Sequence, residues 1–148
     1  MDPAECSEIR SWVESFSGEV DYVDFLTKNS TVGEWLAMCH VLWPRFAVRR
    51  GCILWERAYD PDGFDAWYRH FEGDPRSIES MINRLVLGDV IDCSDSPEND
   101  AALKDIAETI GNVWRAALST AYPERAFDVI VDDTADGPVV SFAASPVE

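Results

Sequence analysis

Positive charge is scarce in this sequence. Twelve lysines and arginines stand against 28 aspartates and glutamates, a formal net charge of −16 at neutral pH. Such a chain has little with which to neutralise phosphates, so direct binding to nucleic acid or to an anionic membrane is disfavoured. Histidine is nearly absent too, at His40 and His70 only. Neither has a serine or cysteine beside it in a nucleophile setting, and no GxSxG, HExxH, P-loop or GxGxxG motif occurs. The four cysteines, Cys6, Cys39, Cys52 and Cys93, include no CxxC pair, which argues against a zinc ribbon or a thioredoxin-type site. No apolar run approaches the roughly 20 residues of a membrane span. The opening Met1-Asp2-Pro3-Ala4-Glu5 is acidic where a signal peptide would be apolar. These absences lead to the expectation of a cytoplasmic chain with free thiols, no cofactor, no bound metal and no enzymatic activity.

What is present is enough apolar material for a core. Of 148 residues, 47% are hydrophobic and 11% aromatic, six of them tryptophan, which acidic disordered tails do not offer. The periodicity predicts a short helix over residues 4–16, with Ile9, Trp12, Val13 and Phe16 on one face. Thr31 and Glu34 form a capping-box pattern ahead of an apolar and mostly buried helix that Pro44 stops. In it Cys39 and His40 read as structural residues, Cys39 being, like Cys52, a small buried hydrophobe. Residues 46–56 read as extended, with Gly51 at a bulge or a turn between two strands. Asp62 reads as the cap of a helix over residues 64–71. Asp74-Pro75 opens another, whose stripe Ile78, Met81, Ile82, Leu85 and Val86 runs to a cap at Gly88. From Leu103 to Ala121 an apolar stripe holds period 3.6 for five turns, with Trp114 at its centre. Residues 127–143 alternate around turn chemistry at 133–138 and read as a hairpin. No repeat or linker interrupts the chain. The expectation is one α+β domain over residues 1–148, helices packed on a small antiparallel β-sheet.

The densest acidic run is Asp89, Asp92, Asp95, Glu98 and Asp100. From Asp89 to Glu108 there are seven carboxylates and one base, Lys104. Asp128, Asp132 and Asp133 form a second patch. Such acids serve as a solvated surface, or as a face that receives a basic groove and speeds encounter with it. Asp60, Asp62 and Asp65 lack calcium-loop spacing and read as turn and cap residues. Arg45, Arg49 and Arg50 are the only basic cluster; they pair internally, or form a small anion site.

The segments Trp43-Pro44-Arg45-Phe46, Ile78-Glu79-Ser80-Met81-Ile82-Asn83, Trp114 and Tyr122-Pro123-Glu124-Arg125-Ala126-Phe127 resemble a small bacterial cytoplasmic family often met beside polymorphic toxins, whose members are candidate immunity proteins. The resemblance spans about residues 43–142, rests on aromatic and structural motifs and transfers no binding residue. It implies an immunity-type protein; with the charge of −16 and the absence of a catalytic motif, the expectation is a stoichiometric inhibitor of a basic effector such as a nuclease toxin, and the charge pattern itself makes the eight carboxylates of the two patches the expected contacts. Two alternatives stand beside it. One is a nucleic-acid mimic that blocks a defence or restriction enzyme, which needs a regular acidic stripe. The other is a small enzyme or anionic-ligand-binding domain, which needs Arg45, Arg49, Arg50, Trp55 and His70 to converge on one pocket.

Overall fold

The computed structural model describes residues 1–146. A 3-10 turn (Pro3–Glu5) leads into three helices, α1 (Ser7–Glu14), α2 (Tyr22–Asn29) and α3 (Val32–Leu42). Reciprocal capping boxes start the last two: Asp21 with Asp24, and Thr31 with Glu34. Each box gives partners to backbone N–H groups that a helix start leaves free. Trp12 joins α1 to α2, with its ring 4.5 Å from Phe16 and 5.7 Å from Phe25. None of the three helices contains a buried residue. The buried α3 expected from its composition is therefore corrected to an exposed one, and Cys39 and His40 are exposed with it. Only Val41 turns inward, where its carbonyl accepts the Trp114 indole N–H at 2.8 Å. A helix apolar on nearly every side gives no signal of which side is covered.

The strands β1 (Phe46–Arg49) and β2 (Cys52–Trp55) form a two-residue hairpin. Arg50 and Gly51 at its tip have φ of 49° and 83°, the left-handed pair that matches the twist of a tight hairpin. Arginine is an unusual residue there. Its guanidinium lies 4.3 Å above the Tyr68 ring and pairs with Asp65 at 3.2 Å, contacts that offset the backbone cost. Helix α4 (Pro61–His70) is capped by Asp60, whose carboxylate accepts the Gly63 N–H, and not by Asp62. Asp74 caps α5 (Pro75–Ile82), and the Ser77 hydrogen bonds hold its carboxyl below the usual range. The chain then runs through β3 (Arg84–Val86), α6 (Leu87–Val90), α7 (Pro97–Ala121), β4 (Phe127–Thr134) and β5 (Gly137–Ala144). The expected helix to Gly88 thus ends six residues early. β3, β5 and β4 form an antiparallel sheet in that order. No described helix is long and apolar enough to cross a membrane.

Helix α7 lies across this sheet. At Gly111 a Cβ would come within 2.7 Å of Val131 Cγ2, so glycine permits the close approach. Trp114 is fully buried, with its ring edge-on to Trp55 at 5.3 Å and Phe142 at 5.8 Å. The tryptophan contacts the sheet at Phe142, as its place in the stripe predicts, and the hairpin as well.

Two buried polar side chains tie the sheets together. Glu79 and Asn83, one turn apart, are fully buried. Glu79 accepts the Ile53 N–H at 2.7 Å with one oxygen and the Ala144 N–H at 2.6 Å with the other. Asn83 accepts from Trp55 N–H at 2.8 Å and donates to the Ile53 and Phe142 carbonyls. The backbone N–H groups of Ile53 and Trp55 point away from β1, to Glu79 and Asn83, and Phe142 and Ala144 lie on β5 beyond the end of β3. Glu79 of α5 and its C-cap Asn83 fill the ladder positions that a missing strand would occupy, giving partners to the Ile53, Trp55 and Ala144 N–H groups and to the Ile53 and Phe142 carbonyls. They also explain why the helix stops: Asn83 is held by two strands, and Arg84 can only continue as a third.

Candidate interaction surfaces

The expected acidic residues separate by geometry. Asp92, Asp95 and Asp100, in and after the loop before α7, line an open cleft of about 650 Å³ together with Asp133 and Asp136 of the β4–β5 turn; Lys104 is the one base in its wall. Asp133 thereby joins the first patch and leaves the second. Side chains alternate along β4, and Val129 and Val131 face α7. Asp133 shares their side, while Asp128 and Asp132 lie on the opposite face. Asp89 is exposed on α6.

Two of the eight expected contacts are engaged within the chain. Glu98 accepts the Ser7 N–H at 3.1 Å and its hydroxyl at 2.5 Å, which fastens α1 to the start of α7. Asp128 pairs with Arg76 at 2.7 Å and accepts from Ser145; these partners, the arginine first, hold its carboxyl below the usual range. The rest of the carboxylates have little cationic company. Only three ion pairs form among the described residues. Internal pairing thus leaves most of the excess negative charge to the surface.

The basic and aromatic residues of the pocket reading are dispersed. Arg45 and the buried Trp55 border one hollow with His40, Glu56 and Arg57. Arg49 lies over Tyr59 at 4.9 Å, and Arg50 faces Asp65 and Tyr68 in a separate hollow. His70 packs on Trp67 and Phe71. No group of three or more His, Cys, Asp or Glu among the described residues could hold a metal ion. Burial pushes the Cys52 thiol up to about 11, with the Glu79 charge adding to the shift, which leaves a weak nucleophile inside the core. The chain matches no known protein family, curated protein or solved structure. Its functional reading rests on its own residues.

The surface that sequence reasoning missed is apolar. Val32, Trp35, Leu36, Met38, Leu42 and Trp43 are all exposed along α3 and just after it, with Val32 at 87% and Leu36 at 61%. Isolated exposed leucines are ordinary, but six large apolar side chains exposed between Val32 and Trp43 are not. The signal lay in the composition: the eleven residues of α3 carry one acid, Glu34, and no lysine or arginine. Asp136 was missed for a simpler reason, since it read only as turn chemistry.

Proposed function

We propose that this chain is an acidic protein-binding module of the immunity type, a stoichiometric inhibitor that covers the cationic groove of a basic effector such as a nuclease toxin. The observation that carries the reading is the convergence of Asp92, Asp95, Asp100, Asp133 and Asp136 from two separate segments into one cleft. A nuclease must present positive charge to phosphate, and a carboxylate-lined surface competes for that charge. The contacts in this reading are Asp92, Asp95, Asp100, Asp133 and Asp136, with Asp89 exposed nearby on α6; Asp132, on the other face of β4, is not among them.

Affinity capture from native lysate at low and high salt, followed by titration of the captured protein's nuclease activity, tests it. The expected result is a basic partner inhibited at one-to-one stoichiometry, with binding that weakens as salt rises. The double variant Asp95→Lys, Asp133→Lys should lose the partner while keeping its melting temperature. Binding indifferent both to salt and to this charge reversal would remove the reading.

A further inference from the structure

Beside the acidic cleft lies a groove of different chemistry. Met38 and Leu42 of α3 form one wall, Ile106 and Ile110 of α7 the other, and Leu87 and Val90 of α6 complete it, around about 600 Å³ of open space. Met38, Leu42, Val90 and Ile106 are each at least a third exposed. A trough between two helix walls, lined by aliphatic side chains and an adaptable methionine, has the shape and chemistry that accept the apolar face of a third helix.

The surroundings say what kind of helix. Asp105 is the one charged residue in the lining, and the chain's terminal ammonium already rests on it at 3.0 Å. Asp89 and Asp92 are exposed on α6 and just after it, next in the chain to the lining residues Val90 and Ile91, and no lysine or arginine lines the groove. A second copy of this chain, at −16, would bring two strongly negative surfaces, each with its acidic cleft beside the groove, face to face. An anionic lipid surface meets the same repulsion.

We infer that the α3–α6–α7 groove docks an amphipathic helix of a protein partner, its leucine-like face seated between Met38 and Ile106 and its flanks rich in lysine or arginine. This rests on the reading of the chain as a binder of a basic protein, and names the segment of that partner that is gripped. Electrostatic steering by the acidic surface brings the partner in, and the burial of apolar side chains holds it.

The test uses the full chain and a synthetic helical peptide of leucine and lysine, with a leucine–glutamate peptide of the same pattern as control. Binding is followed by tryptophan fluorescence and calorimetry, and the state of the free chain by sedimentation. The expected result is one-to-one binding of the lysine peptide, none of the glutamate peptide, and about a tenfold or greater loss in both Met38→Asp and Ile106→Asp. Each variant would have to bury a new carboxylate under the partner. Both side chains are more than a third exposed in the free chain, so the variants should stay folded, with a cooperative melting transition that shows the loss is one of binding. Lysine-peptide binding that ignores these variants but falls in Asp95→Lys, Asp133→Lys would overturn the groove while leaving the acidic-cleft reading intact. Equal binding of both peptides, or of neither, would also overturn it. So would a dimer that Met38→Asp converts to monomer, which would give the groove to a second copy.

Discussion

Trp55 and Trp114, in the hairpin and in α7, are 3% and 0% exposed, whereas Trp35 and Trp43, on and just after α3, are 46% and 50% exposed. The same side chain is therefore used in two ways within one chain. After Pro44, aromatic rings interlock: Trp114 meets Trp55 and Phe142, and Phe142 meets Phe46 and Phe127. Before Pro44, helices α1 to α3 bury no residue fully. Their attachment to the remainder of the chain rests on a few points: Ser7 on Glu98, the terminal ammonium on Asp105, and Val41, which packs against the core and accepts the Trp114 indole N–H at its carbonyl. The difference teaches that hydrophobic content does not rank the two regions by stability. What ranks them is whether a second surface lies within reach, because stabilisation follows the apolar area removed from water.

The contrast can be broken most forcefully at Trp114. Trp114→Ala should cost about 3–5 kcal/mol through lost burial and the cavity left behind, a large part of the ~5–15 kcal/mol of a whole domain. Urea denaturation should find it unfolded or close to it; parental stability would show that the centre of the core lies elsewhere. Next comes Glu79, where Glu79→Ala strips the Ile53 and Ala144 N–H groups of their acceptor. Two orphaned donors at about 1–3 kcal/mol each suggest a loss of about 2–6 kcal/mol. Glu79→Gln, which keeps one carbonyl oxygen, should recover part of it in the same assay, and a neutral Glu79→Ala would deny that the carboxylate joins the sheets. The smallest effect is expected on the other side of the comparison. Leu36→Ser should shift stability by no more than about 0.5 kcal/mol, as at an ordinary exposed position. A large loss there would mean that α3 is covered in solution.

Much of this arrangement is legible in the residues. The five-turn stripe around Trp114, the Thr31–Glu34 box and the turn chemistry of residues 133–138 act locally, and each produces the element it predicts. Asp74-Pro75 likewise opens α5 as read. The failures involve partners distant in the chain. Leu85 and Val86 continue a helical stripe, yet they pair with Val140 and Val139 as strand, because Asn83 is claimed by backbone groups that no local pattern reveals. Glu79 sits in an acid-rich sequence where one more carboxylate carries no signal of burial. The splitting of the second acidic patch was within reach, since the two-residue period of β4 already sets Asp133 apart from Asp128 and Asp132. Its meeting with Asp92 and Asp95 was not, for it depends on where the β4–β5 turn falls beside α7.

Glu79 and Asn83 also bear on how the molecule can open. Two separate sheets would ordinarily be free to fray one at a time, each at its own exposed edge. Here the same two side chains bind the edge of the hairpin and the edge of β5, so lifting α5 releases both at once, and neither can peel away while the helix stays seated. Local openings that would otherwise be independent are fused into one cooperative unit. The eight-residue helix thus acts as a keystone, and the molecule's resistance to partial unfolding is concentrated there.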